Sequence, residues 1–251
     1  MGKIDRKSIK VLWVSLVKFP PLCEHLGETI PAHCGWMYSS AKALLRVMPE
    51  VRLGVMVYSY GRSYERYEID GVTYYLIPTG RIDRTSKKQI ETCRRAIRDF
   101  APDLMHIHGT EHSLAKAACV ANENGTRMVA NIQGLAGPYM RYADGGLSLW
   151  NKWTNITPLD FYRGTFLLNA KRNFKHRAEC ENYVLTYITD IVGRTQWDCD
   201  HVMTVNPRLR YHFMNETLRD SFYEVPRWNY AQCKKHTIFV SNSGSPLKGA
   251  H

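Results

Sequence analysis

The sequence predicts an α/β fold: a Rossmann-like parallel β-sheet flanked by helices. Strand and helix signals alternate from the first strand to about residue 213, the connections are mostly short, and several strands read as continuous apolar runs. Runs of that kind belong to strands buried on both faces, which is the environment of a parallel sheet. In such sheets ligands gather at the carboxyl ends of the strands. Four stretches then stand out as ligand-facing: 18–36, 108–112, 133–146 and 194–198.

The elements follow in order. Lys10–Val17 is apolar and β-branched, a buried strand. Pro20, Pro21, Gly27, Pro31 and Gly35 then mark a long loop, and helical spacing starts near Trp36. Val51–Ser59 is a strand. Asp70 and Gly71, between Tyr67–Ile69 and Val72–Ile77, signal a two-residue hairpin. Ser86–Phe100 is helical, with Ile90, Cys93, Ile97 and Phe100 on one face. Leu104–His108 is a strand, Ser113–Asn122 a small-residue helix, and Arg127–Ile132 a strand. An aromatic-rich stretch leads into a basic helix over about 165–187. Ile188–Gly193 returns to the sheet, a short helix follows, and Arg210–Phe213 is the last short strand. Pro226–Asn229 reads as linker, and Thr237–Ser241 opens another apolar strand, so residues 1–230 form one domain and 231–251 begin a second.

Charge and cysteine content narrow the function classes. The net charge of +11 favours anionic partners, but no block of five or more Lys or Arg occurs, so nucleic acid is not an expected partner. The seven cysteines form no CxxC pair, which points to reduced, packed thiols. The apolar run near residue 11 is far shorter than the roughly 20 residues that span a bilayer. A cytoplasmic chain is expected, with peripheral contact at the inner membrane face through the basic helix near Lys171–Arg177.

Three clusters carry candidate chemistry, and a fourth lies at the C-terminus. In the run from His106 to His112, residues 106 and 108 share a strand face and could place two imidazoles on one ion. No downstream His or Asp stands at metal-ligand spacing, and the alternative has His106 packed in the sheet with His108 at its edge beside a helix N-terminus. There His108 could donate to a sugar hydroxyl or stabilise developing charge. Gln133, Gly134 and Gly137 follow a strand, so backbone N–H groups can approach a ligand; Arg141 sits in the polar loop beyond. Arg194 and Thr195 end a strand, suited to a phosphate or sugar, and a Thr195 cap on the next helix is compatible with that role because cap geometry itself makes an anion site. Ser243–Gly249, with Lys248, could cradle a diphosphate.

In order, these segments resemble glycosyltransferase family 4, of the two-domain GT-B type. The carriers are KVLWVSLVKFPP with HCGWM behind it, PDLMHIHGTEHSLA, NIQGLAGPY, DIVGRTQWD and NPRLRYHFMNETLRDSFYE. The terminal IFVSNSGSPLKG looks like the opening of the donor domain; Lys248 fits the family's lysine, while Ser243 stands where an arginine is usual. The resemblance implies a retaining, metal-independent transfer without cofactor, as in bacterial surface polysaccharide synthesis. The donor is a nucleoside-diphosphate sugar and the acceptor a glycan or lipid-linked glycan. This chain is then the acceptor-side half, inactive without a donor domain beyond His251. By resemblance Gly35, Arg194 and Lys248 lie toward the donor phosphates, and His108 near the reacting sugar as the catalytic residue. Gln133, Gly134, Gly137, Arg141 and Thr195 then line the acceptor side. The other reading is a non-catalytic sugar- or nucleotide-binding module acting with a separate donor-domain partner.

Overall fold

Strand β1 (Ile9–Ser15) shows why the sheet needs unbroken apolar runs. Leu12 and Val14 enter the core on one face, while Val11 and Trp13 enter a second core on the other. The structure is a computed structural model and describes residues 8–31, 34–80, 84–158 and 170–238. The expected Ser243–Gly249 loop, Lys248, most of the 231–251 segment and the start of the basic helix lie outside these residues.

After β1 comes helix α1 (Pro20–Leu26), where the sequence suggested only loop. Pro20 and Pro21 occupy its first turn, where backbone N–H groups have no partner in any case, and Gly27 closes it at φ 66°. These residues start and stop a short helix, as well as breaking a longer one. Helix α2 (Gly35–Val47) and strand β2 (Val51–Tyr60) follow. Strands β3 (Glu65–Ile69) and β4 (Val72–Thr79) pair antiparallel through Asp70 and Gly71, both at positive φ as a tight hairpin turn requires. Helix α3 (Lys87–Phe100) begins at Ser86, whose hydroxyl accepts from the Gln89 N–H.

Strand β5 (Leu104–His108), helix α4 (Ser113–Ala121) and strand β6 (Arg127–Asn131) match the expected elements. Two short helices, α5 (Ala136–Tyr139) and α6 (Leu149–Thr154), precede the long α7 (Ala170–Tyr187). Strand β7 (Asp190–Gly193), helix α8 (Gln196–Val205), strand β8 (Arg210–Phe213) and helix α9 (Ser221–Glu224) complete the described order.

The sheet runs β3-β4-β2-β1-β5-β6-β7-β8, and only β3 is antiparallel to its neighbour. From β1 the chain builds outward one way to β4, then crosses back and builds outward the other way from β5. The reversal between β1 and β5 is the place where an α/β sheet opens a crevice. Helices flank both faces, but unequally. Residues from α3, α4, α7 and α8 share a core with strands from β4 to β7 on the first face. On the second, α1 and α2 pack over β1, β2 and β4, and that apolar cluster stops at β1.

Candidate functional site

Beyond that boundary the second face holds a groove of about 500 Å³, running along β1 and β5 beside α2. Trp13, Trp36, His106, His108, Asn131 and Arg194 are among its lining residues. The register aligns Trp13 with His106 across the β1–β5 pair and His108 with Asn131 across β5–β6. Ring centroids lie 4.1 Å apart for His106 and His108, 4.4 Å for Trp13 and His108, and 6.2 Å for Trp36 and His108. The two imidazoles therefore share a strand face, as their spacing predicted. Among the described residues no group of three His, Cys, Asp or Glu forms a metal-ligating set.

His108 is 3% exposed, its ring tilted at 54° against Trp13 in the groove wall. The residue at the N-terminus of α4 is His112. Its Nδ1 accepts from the Ala115 N–H (3.1 Å) and meets the Tyr58 hydroxyl (3.1 Å), while Nε2 lies 3.2 Å from the His108 carbonyl oxygen. Nε2 must therefore carry the hydrogen. His108 ends β5 beside the start of α4: Gly109, at φ 90°, turns the chain so that the cap residue His112 meets the His108 carbonyl.

Burial holds these imidazoles neutral. His106 and His112 are lowered to about 4 and His108 well below its ordinary value, with the neighbouring ring of His106 adding to the effect. Trp13 Nε1 and His106 Nε2 are buried without a hydrogen-bond partner among the described residues, and the His108 ring meets the Asn131 side chain, which works against the effect of burial. Such groups are costly to leave unmet. A neutral imidazole offers one donor and one acceptor, the match for a hydroxyl, which also does both.

At the carboxyl edge, Arg194 extends to Glu216 at 2.5 Å, so its guanidinium already has a carboxylate. The backbone N–H groups of Arg194 and Thr195 both donate to Asp198, and the Thr195 hydroxyl accepts from the Asp198 N–H. Thr195 thus caps α8 in a reciprocal box. Gly35 opens α2, and the Arg219 side chain lies across it; a Cβ there would sit 2.6 Å from Arg219 Cδ.

The remaining acceptor-side residues gather elsewhere. Glu181 reaches up from α7, fully buried, and accepts from the Ala136 N–H at 2.7 Å and the Gly137 N–H at 3.0 Å. The expectation that Gly137 offers its N–H to a ligand is corrected, because Glu181 takes it. Burial raises the Glu181 carboxyl to about 7 despite these two donors, and Glu111 pushes the same way. Gln133 packs beside Gly109, where a Cβ would come within 3.2 Å of Gln133 Cγ; Gly134 lies against Tyr139. Arg141 is exposed in the 3₁₀ turn Met140–Tyr142.

The structure thus brings His108, Arg194 and the start of α2 to the groove, sets Gly137 over Glu181, and leaves Gln133 beside Gly109 and Gly134 against Tyr139. Sequence reasoning missed Trp13, Trp36, Asn131 and Glu181. Glu181 had a legible signal: it shares the helical stripe of Val184, Leu185 and Ile188, where a carboxylate needs a specific partner.

No protein-family model matches the chain, and no curated protein matches it. Among solved structures it is similar to a sucrose-phosphate synthase from Thermosynechococcus elongatus, at 7% identity and TM-score 0.44, over 82% of this chain and 47% of that one. A UDP-N-acetylglucosamine 2-epimerase matches at 14% identity and TM-score 0.41, over 80% and 46%. An alpha,alpha-trehalose-phosphate synthase (UDP-forming) from Burkholderia xenovorans matches at 12% identity and TM-score 0.38, over 79% and 44%. The chain spans less than half the length of each. Likenesses this distant carry no argument about function, and the fold class rests on the sheet itself.

Proposed function

We propose that the chain is the acceptor-side domain of a two-domain glycosyltransferase, taking a glycan or lipid-linked glycan as acceptor and a nucleoside-diphosphate sugar as donor. The observation that carries this reading is the groove at the β1/β5 reversal. Its wall combines the Trp13 and Trp36 indoles with the buried, neutral imidazoles of His106 and His108, backed by Asn131. The family 4 resemblance supports it, and adds retention of configuration and independence of metal. His108 is the proposed contact to the reacting sugar. Arg194 would exchange Glu216 for a phosphate when donor is bound, and Lys248 would meet the diphosphate charge. A cytoplasmic location, with peripheral contact at the inner membrane face, belongs to the same reading.

The test is a binding and transfer experiment. Acceptor glycans are titrated against the chain by NMR, and sugar transfer from nucleotide sugars is assayed with and without a separately expressed donor domain. Binding of an acceptor, weakened by roughly 1–3 kcal/mol in His108→Ala, together with transfer only when the donor domain is present, is the expected outcome. Acceptor binding without transfer under any pairing would favour the non-catalytic sugar-binding module. Binding of neither glycans nor nucleotide sugars would overturn both.

A further inference from the structure

The chain between β8 and α9 crosses the groove without resting on a core. It leaves β8 at Met214, whose N–H donates to the Gly193 carbonyl at 3.0 Å, and meets α2 at Asp220. β5 and β6 stand between β7 and β1 in the sheet, so a segment fixed at those two places spans the carboxyl end of the groove. Met214, Asn215, Glu216 and Thr217 line it there. No residue of 214–220 belongs to a helix or strand, and none is buried. Its apolar side chains, Met214 and Leu218, are 45% and 47% exposed, too open to anchor it. Cavities of about 640 and 340 Å³ are lined jointly by α2 and by Thr217, Arg219 and Asp220.

Charge ties the segment down instead. Glu216 reaches Arg194 at 2.5 Å, and Asp220 accepts from Lys42 of α2 at 3.0 Å. Between the two ties the Arg219 side chain lies across Gly35. All four paired side chains are 29% exposed or more, and a surface ion pair of this kind biases an equilibrium by about fivefold at most. Two such biases and the backbone bond at Met214 hold the segment shut, little enough for an outside ligand to outweigh. The start of α8, at the same sheet edge, is closed by the reciprocal cap of Thr195 and Asp198 and has no such weakness.

We propose that 214–220 is an autoinhibitory strap: it closes the groove by filling Arg194 and Lys42 with the chain's own carboxylates, and it opens when an incoming phosphate takes their place. Two cations on opposite sides of the groove each carry an internal anion, which any outside anion must displace. A phosphate that competes with Glu216 or Asp220 weakens the closure at that end. Recognition of charge at the rim then admits the rest of the ligand to the apolar groove, and an uncharged ligand finds it shut. Arg219 moves with the strap, which uncovers Gly35 at the start of α2. The exchange at Arg194 is half of this release; Lys42 on α2 is the other half. The strap's role rests on the groove being a ligand site, but its opening is measurable with no sugar present.

Trypsin cutting after Arg219, compared by mass spectrometry with cutting after the exposed Arg227, reads the strap. Lys42→Gln/Glu216→Gln, which removes both ties, should quicken the Arg219 cut about fivefold or more at unchanged circular dichroism, because cleavage tracks the open population. High salt should quicken it in the parent, since both pairs are open to screening. Inorganic pyrophosphate should do so beyond what sodium chloride of equal ionic strength does, and should bind Glu216→Gln about two- to fivefold more tightly than the parent. Equal cutting in parent and variant, or a parent indifferent to salt, makes 214–220 a fixed wall and overturns the proposal. A strap that opens in the variant yet ignores pyrophosphate overturns phosphate as its release signal. None of these measurements involves a glycan. Failure of acceptor binding therefore leaves the strap standing, and failure of the strap leaves acceptor binding to its own titration.

Discussion

Tyr211 shows how tightly single residues fix the carboxyl edge. Its ring lies on Gly193, its hydroxyl donates to the Thr195 carbonyl at 3.0 Å, and a Cβ at Gly193 would meet ring carbon Cζ at 2.8 Å. Gly193→Ala should destabilise the chain by about 1–3 kcal/mol in denaturant unfolding. Tyr211→Ala should recover part of that loss in the double variant, because the clash goes with the ring. The groove imidazoles make a second prediction at this scale. His106 and His112 fall from 6.5 when unfolded to about 4 when folded, and burial lowers His108 in the same direction. The unfolded chain then binds more protons between those limits, so these residues make stability drop as pH falls from 6.5 toward 4. Glu181, raised to about 7, works the opposite way over part of the same window. His106→Phe should reduce the acid-side loss relative to the parent, measured as unfolding free energy against pH; an unchanged profile would contradict the neutral, buried imidazole.

At the scale of elements, periodicity and turn chemistry made most of the sheet legible. β1, β2, β5, β6 and the hairpin were readable because each is an apolar run or is bounded by Gly, Asp or Pro whose backbone preferences are local. α1 was hidden by Pro20 and Pro21, which break a helix from within but begin one at its first turn. α6 was hidden for a different reason. Its apolar residues face outward, and sequence gives the spacing of a stripe without saying which way the stripe points. The partners of Gly137 and Thr195 were also out of reach, since Glu181 lies 44 residues from Gly137 in sequence and no local rule connects them. That long-range contact is what holds α5 to α7. Glu181→Ala leaves the buried Ala136 N–H and the part-buried Gly137 N–H unmet, at about 1–3 kcal/mol for the buried one and less for the other, and should lower the melting temperature. Hydrogen exchange should quicken at residues 136–146 more than at β5 or β6; uniform quickening would mean that Glu181 supports the whole fold instead.

For the molecule as a whole, seven cysteines serve as reporters of the packing. Cys23, Cys34, Cys93, Cys119 and Cys180 are buried, Cys199 is half-buried and Cys233 is exposed. Burial also pushes the Cys119 thiol up to about 12 and Cys93 higher, leaving little thiolate to react. Labelling of the native chain with a thiol reagent should be fast at Cys233, slower at Cys199, and absent at the other five until denaturant is added. Fast labelling of Cys93 or Cys119 would contradict the two-faced core.

The hairpin at one end of the sheet has a consequence for how these molecules behave at high concentration. β3 turns back antiparallel and leaves its outer row of backbone groups facing solvent, with Arg66 and Glu68 exposed along it. At the far end β8 is only four residues long, and Arg210 and His212 are bound to Asp190 of the neighbouring strand. Neither rim offers a long, uncharged template for a strand from another copy. Polymerisation into fibres through the sheet is therefore disfavoured at both margins among the described residues, and a crowded solution of this protein should stay free of cross-β material.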